Sequence, residues 1–197
     1  MLKRTLWSLC FLALLVVLRP QQVEANPIVS VGSATQFVGD TFTIPVSVSG
    51  VSDLQAFQFD LSYDSTIVSI LGFTDVGTDF DTAATAGGGS LTGITGFSLA
   101  GLLSGVADSM SGASTGLTGN GVVVNIEFEA LMAGVSPLTL SSVFLNFSDA
   151  GFDVADGQVT VTGGQSVPEP TTLALLALGL LAFGVRRKTA LAWRIAT

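Results

Sequence analysis

Through the middle of the chain apolar and polar residues alternate one by one, and that period of two predicts strands. In Thr41-Phe42-Thr43-Ile44-Pro45-Val46-Ser47-Val48-Ser49, Phe42, Ile44, Val46 and Val48 share one face and small polar residues take the other. Pro45 has no N–H to donate, which predicts that this strand lies at a sheet edge. Residues 57–64 repeat the pattern with Phe57, Phe59, Leu61 and Tyr63 inward, leaving Gln58, Asp60 and Ser62 as an outward polar row. Residues 122–130 show it most fully: Val122, Val124, Ile126, Phe128 and Ala130 point inward, with Asn125, Glu127 and Glu129 toward water. Further strands are predicted at 28–31, 67–73, 94–100, 138–140, 143–147 and 158–161, between turns of Gly, Asn, Asp and Ser. About nine short strands so spaced favour an all-β sandwich over a parallel sheet. No stretch sustains a helical period, and residues 99–110 are expected to hold at most a short helical turn.

The two ends follow different rules. Lys3 and Arg4 precede an apolar run over 5–18, and Val23-Glu24-Ala25 places small residues where a signal peptidase reads them. Cleavage between Ala25 and Asn26 is therefore expected. The run is too short for a permanent anchor, since spanning a bilayer takes about twenty residues. At the other end a Gly163-Gly164-Gln165-Ser166 linker leads to Pro168-Glu169-Pro170, an apolar run over 171–185 and the basic triplet Arg186-Arg187-Lys188. The prolines stop any helix, the apolar run enters the membrane, and the triplet holds its end in the cytoplasm. About fifteen helical residues reach only ~22 Å against a hydrocarbon core of ~30 Å, so this is a marginal transmembrane helix suited to temporary anchoring.

Charge sharpens the picture. No Lys or Arg lies between Arg19 and Arg186, whereas all but one of the 15 acidic residues follow Asn26. A domain without cations is repelled by phosphate backbones, which excludes nucleic acid as a partner. The acidic balance by itself speaks to solubility, not to fold. The one cysteine, Cys10, sits in the leader, so core packing alone must stabilise the mature domain.

Little catalytic chemistry remains. Without His, Cys, Lys or Arg the middle has no triad, thiol nucleophile, Schiff-base lysine or zinc site, and it carries no Trp for stacking on a sugar. The chain is therefore expected not to be an enzyme, and no cofactor is required. Asp75, Asp79 and Asp81 are candidate hard-oxygen ligands for calcium, as are Asp149, Asp153 and Asp156 in a later loop. Neither spacing matches an EF-hand, and aspartates in turns ordinarily cap the backbone.

Two resemblances rest on these residues. The order Pro168-Glu169-Pro170, short apolar run, Arg186-Arg187-Lys188 resembles the PEP-CTERM sorting signal. That resemblance implies recognition by an exosortase in an exopolysaccharide-producing bacterium, and residues 189–197 extend beyond the usual pattern as a tail. Val38-Gly39-Asp40-Thr41-Phe42-Thr43-Ile44-Pro45-Val46, the strand over 57–64, Gly119-Asn120-Gly121-Val122 leading to Glu127-Phe128-Glu129-Ala130, and Ser136-Pro137-Leu138-Thr139-Leu140 together resemble the cohesin domain. This implies a nine-stranded jelly-roll β-sandwich of the type shared by cohesins and carbohydrate-binding modules. The expected organisation is a signal peptide (1–25), the sandwich (26–162), a linker with the Pro-Glu-Pro motif (163–170), a transmembrane helix with its basic cluster (171–188) and the tail.

The resemblance further implies a non-catalytic binding or structural module at the cell surface or in its matrix, with polysaccharide or a dockerin-bearing protein as partner. In cohesins the sheet region of 57–64 faces the dockerin, which makes Gln58, Asp60 and Ser62 the candidate partner face. Read from sequence, that face has small side chains and little apolar anchor area, so weak association through polysaccharide or bridging calcium is expected instead of a strong dockerin complex.

Overall fold

The computed structural model describes residues 25–149 and 151–163, together with Leu178 and Leu180, which are helical and exposed. The leader before Ala25, the Pro-Glu-Pro motif, the basic triplet and the tail lie outside the described residues.

Two sheets face one another. The first runs β11 (Asp153–Ala155), β1 (Ile28–Val31), β3 (Thr41–Leu54), β9 (Leu117–Ala130), β5 (Val68–Thr74). The second runs β2 (Ala34–Phe37), β12 (Gly157–Thr162), β10 (Gly134–Leu145), β4 (Ala56–Ser62), β8 (Leu102–Ser111). Both β6 (Ser90–Leu91) and β7 (Thr95–Leu99) pair with the free edge of β8. Pairing is antiparallel except for β1 with β11 and β12 with β2. Between the sheets, inward residues of each strand form one core in which Ile44, Phe59, Leu61, Leu103, Ile126, Phe128 and Leu138 are fully buried. Phe128 stacks on Phe42 at 5.8 Å and meets the Tyr63 ring edge-on at 6.0 Å.

The structure departs from the sequence pattern in four places. Twelve strand segments form among the described residues instead of nine: β2, β6, β8 and β11 are added, and the two strands expected at 138–140 and 143–147 are one, β10. Residues 99–110 hold no helical turn: they run from the end of β7 through a turn at Ala100 and Gly101 into most of β8. A bulge opposite Asp60 leaves Leu103, Val106 and Asp108 as the inward positions of β8, so the period of two is interrupted. The strand holding Pro45 is central, not an edge, for β3 lies between β1 and β9. Its carbonyl accepts from Gly32 N–H at 3.0 Å just past the end of β1, where a missing donor costs no ladder bond.

The fourth departure is a helix, α1 (Asp79–Ala86), which buries Phe80 and Ala84 and closes one end of the sandwich. Its stripe is one pair long, too short to register as periodicity. Its start is nevertheless written in Thr78-Asp79-Phe80-Asp81: the Thr78 hydroxyl accepts from Asp81 N–H, and two acids sit in the positive first turn. Phe80 meets Phe57 edge-on at 4.9 Å and thereby joins helix to sheet.

Beside this helix two carboxyl groups are buried together, Asp75 at 2% exposure and Asp108 at 5%. Burial pushes the Asp75 carboxyl up, and the hydrogen bond and charge of Asp108 with the charge of Asp81 push it further, to about 7. Burial also works against the charge of Asp108. There the hydrogen bonds from Asp75, the Thr92 hydroxyl and the Ser109 and Gly93 N–H groups win, and its carboxyl is held below the ordinary value. Asp75 therefore carries the proton and donates it to Asp108. Asp75 Oδ2 is buried with no N–H or O–H donor in reach.

Two outcomes follow from the packing. Phe128→Ala should cost about 3–5 kcal/mol in urea unfolding, because a fully buried ring with two aromatic neighbours is lost. For the carboxyl pair, the folded state retains a proton that the unfolded chain releases near 3.8. The contribution of Asp75 to stability is thus full below that value and declines as pH rises toward about 7. In Asp75→Asn, whose amide donates the same bond at every pH, this decline should disappear from unfolding midpoints measured across the window.

Candidate functional site

The outer face of β10, β4, β8 and β7 is the candidate site, and register places its residues in three cross-strand rows. Thr139, Ser62, Leu102 and Leu99 form the first row. Ser141, Asp60, Ser104 and Phe97 form the second, and Phe144, Gln58, Ala107 and Thr95 the third. The three residues expected on a partner face, Gln58, Asp60 and Ser62, thus stand together on β4 at the middle of this surface.

Asp60 ties the centre of the face together. Opposite it the bulge in β8 turns at Gly105, with φ at +66°, a conformation that favours glycine. The Gly105 N–H donates to Asp60 Oδ1 at 2.6 Å and the Ser104 hydroxyl donates to the same oxygen at 3.0 Å. Partial burial raises the Asp60 carboxyl, but the bonds from Gly105, Ser142 and Ser104 outweigh it and hold the group below its ordinary value. The face therefore presents a fixed negative charge, half-covered and already hydrogen-bonded.

Around this charge the structure places the apolar area that sequence reading did not find. Phe97 is 56% exposed and Leu99 54%, both on the edge strand β7, while Phe144 is half-buried on β10. The signal lay in the residues between them: Gly96 and Ser98 take the inward positions of β7, which leaves its large side chains outside. Phe147 is more exposed still, at 88%. It follows Asn146 in a turn where both residues have positive φ, 48° and 65°.

That turn is held by Asn146, whose side-chain oxygen accepts from Gln55 and Ala56 N–H at 2.7 and 3.1 Å and whose amide donates to the Asp53 carbonyl at 3.0 Å. A phenylalanine held left-handed carries a local cost, offset here by the surrounding bonds. The consequence is a ring standing at the rim of a cleft of about 450 Å³, whose wall includes Gln58, Thr95, Ala107 and Phe144.

The calcium candidates do not converge. Asp75 is buried against Asp108, Asp79 accepts from Val122 N–H at 2.7 Å, and Asp81 accepts from Gly77 N–H at 2.9 Å. In the later loop Asp156 accepts from Leu140 N–H at 2.9 Å, and Asp153 lies on β11. Among the described residues no group of three or more His, Cys, Asp or Glu is arranged to hold a metal ion. Asp79, Asp81 and Asp156 each turn to a backbone donor and Asp75 pairs with Asp108, so the carboxylates do not gather around one point.

Two family models match the chain. The cohesin domain model matches residues 27–167, and the PEP-CTERM protein-sorting motif matches residues 166–188. No curated protein matches the chain. Among solved structures, a non-cellulosomal cohesin from the hyperthermophilic archaeon Archaeoglobus fulgidus aligns with a TM-score of 0.55 and 12% identity, over 72% of this chain and 94% of that one. The third cohesin ScaC of Acetivibrio cellulolyticus, in complex with the ScaB dockerin, aligns with a TM-score of 0.53 and 15% identity, over 68% of this chain and 98% of that one. CaCohA2 from Clostridium acetobutylicum aligns with a TM-score of 0.54 and 23% identity, over 74% of this chain and 95% of that one. At these identities the likeness is one of fold, while the family model itself covers well over half of the sequence: the chain belongs to the cohesin family and ends in a PEP-CTERM sorting motif.

Proposed function

We propose that this chain is an exported, non-catalytic binding module whose β10–β4–β8–β7 face receives a protein partner, with a dockerin-type domain as the partner class. The observation that carries this reading is the juxtaposition of exposed Phe97, Leu99 and Phe147 around the fixed carboxylate of Asp60 on one flat sheet face. Protein interfaces draw most of their binding energy from a few aromatic anchors, with polar groups fixing register. This face offers both. It revises the expectation of weak, calcium-bridged association, which rested on a surface of small side chains only.

Several solved cohesins of the same fold were crystallised with dockerins, which supports the partner class. Carbohydrate recognition, the other reading of the fold, would use the cleft beneath Phe147, where the Phe147 and Phe144 rings offer stacking surfaces and Gln58, Thr95 and Asp108 offer polar groups. The address is read from the two ends. Signal peptidase cuts between Ala25 and Asn26, and an exosortase recognises Pro168, Glu169 and Pro170 with the apolar run and Arg186, Arg187 and Lys188 behind them. The module is thereby carried to the cell envelope and held there or released into the surrounding matrix.

The partner reading is tested by calorimetric titration of the chain with the dockerin domains encoded by its host. Phe147→Gly and Phe97→Ser should each weaken the complex by about 2 kcal/mol, roughly thirtyfold. Phe147→Gly should meanwhile change folding stability by no more than about 1 kcal/mol, since glycine takes the left-handed turn without strain. Binding to none of these dockerins, or variants that bind as the parent does, overturns the reading; glycan binding that disappears with Phe147→Gly would replace it. Processing is tested separately by intact mass. The exported protein should begin at Asn26, and an exosortase-treated form should lack the mass of the apolar run and everything after it.

A further inference from the structure

The chain leaves the sandwich at Thr162, and the surface around that exit is unlike the rest of the molecule. Here Phe37, Val38, Leu131, Met132 and Val135 are 41–53% exposed. Register brings them together around the departing strand: Thr162 pairs with Phe37 and Thr160 with Val135. Val38 N–H donates to the Thr162 carbonyl at 3.1 Å, and the next residue, Gly39, donates to Ala130 at 2.8 Å, just before Leu131.

These side chains cannot fold inward, because the backbone beneath them is pinned. Leu131 and Met132 N–H groups both donate to the Ile67 carbonyl, at 2.8 and 3.3 Å, and the turn at Val38 is stitched to both sheets. Their exposure is built into the architecture.

Charge is distributed along the same axis. Asp53, Asp75, Asp79, Asp81, Asp108 and Asp153 lie toward the opposite end, at or near the far termini of their strands, where Pro27 also lies. The exit end carries acids too: Glu129 and Glu127 stand opposite Thr41 and Thr43 at the start of β3, and Asp40 and Asp64 there accept hydrogen bonds from Phe37 N–H and from the Thr66 N–H and hydroxyl. With carboxylates at both ends, the choice of occupant rests on the tether.

The tether selects the occupant. Only residues 163–170 separate Thr162 from the apolar run over 171–185. Fully extended they span at most about 29 Å, and as a coil about 16 Å, far less than the ~46 Å of a fourteen-residue strand such as β9. Whatever holds the apolar run holds this end of the domain beside it at high effective concentration.

We propose that the exit end, formed by Phe37, Val38, Leu131, Met132 and Val135, is a lipid-contact surface that seats the sandwich on the bilayer while the sorting tail is embedded. The proposal rests on the reading of residues 166–188 as a membrane tail, and the experiment separates the two. Residues 26–197 are reconstituted in phosphatidylethanolamine/phosphatidylglycerol vesicles, with an environment-sensitive fluorophore on Met132→Cys or, as control, on Ser52→Cys at the opposite end. Flotation reports the tail; blue-shifted emission quenched by spin-labelled lipid reports the contact.

The expected result is flotation of both proteins, with shift and quenching at position 132 only. Replacing Val38, Leu131 and Val135 together by Ser should abolish quenching at 132 while the protein still floats. Floating protein whose label at 132 behaves like that at 52 overturns the lipid contact and leaves the tail reading intact. A blue shift that lipid-borne quencher does not reach assigns the surface to the chain's own tail or to a second copy, and also overturns it. Protein that fails to float overturns the tail reading and this proposal with it.

Discussion

The organising constraint is the absence of any basic side chain between Arg19 and Arg186. A carboxylate inside this domain has no ion-pair partner to seek, so it turns to backbone N–H groups, hydroxyls or a proton. The aspartates consequently act as stitches. Asp53 accepts from Gly116 N–H, Asp79 joins the helix to β9 through Val122, and Asp156 reaches across to Leu140. Where two carboxyls meet away from water, a proton takes the place a lysine would occupy elsewhere, as at Asp75 and Asp108. Where such bonds hold a carboxyl below its ordinary value, as at Asp53, Asp60 and Asp64, they weaken in acid. The Asp75 pair has the opposite dependence.

This stitching decides where the candidate face acquires its shape. Asp60 fills the bulge in β8 with its carboxylate, fixing Ser104 and Gly105 in a break that an uncharged residue would leave underbonded. Asn146 does the same with an amide at the turn that lifts Phe147 into solvent. Both irregularities cost regular pairing, and both lie beside exposed aromatic side chains. Irregular pairing is not confined to this face, for β3 and β9 shift register between Val46 and Leu54 and β5 shifts against β9 at Ile70 and Gly72.

The strands that could be read from sequence were those whose inward positions stay strictly alternate. Phe42 to Val48, Phe57 to Tyr63 and Val124 to Ala130 bury one side and wet the other, as expected; at the start of the third run a register shift against Val46 and Ser47 puts Val123 in the core in place of Val122. Legibility failed where register breaks. The inward spacing of three from Leu103 to Val106 imitates a helical step, and only pairing across to Phe59 and Leu61 reveals a strand. The short helix was hidden by its length, and its cap at Thr78 stood unread among aspartates weighed as calcium ligands. Of the candidate site, Gln58, Asp60 and Ser62 were legible because they alternate with core residues. Phe97 and Phe147 were not, because a phenylalanine is ordinarily assigned inward, and their exposure depends on a glycine-backed edge strand and a left-handed turn.

The positions of the chain's two exits give these surfaces a common geometry. The N-terminal segment enters near Gly50, and the C-terminal strand leaves at the other end of the sandwich. In the proposed seating on the bilayer, the exit end faces the lipid and the strand axes stand away from it, so neither sheet lies flat against it. The β10–β4–β8–β7 face then looks sideways, with Phe147 toward the end remote from the tether and Leu99 nearer to it. A partner approaching from the side meets the aromatic residues and Asp60 without displacing the end that the tether holds. Anchoring and recognition thus make separate demands on the sequence: the turns at Val38 and Met132 for one, the bulge at Gly105 and the turn at Asn146 for the other.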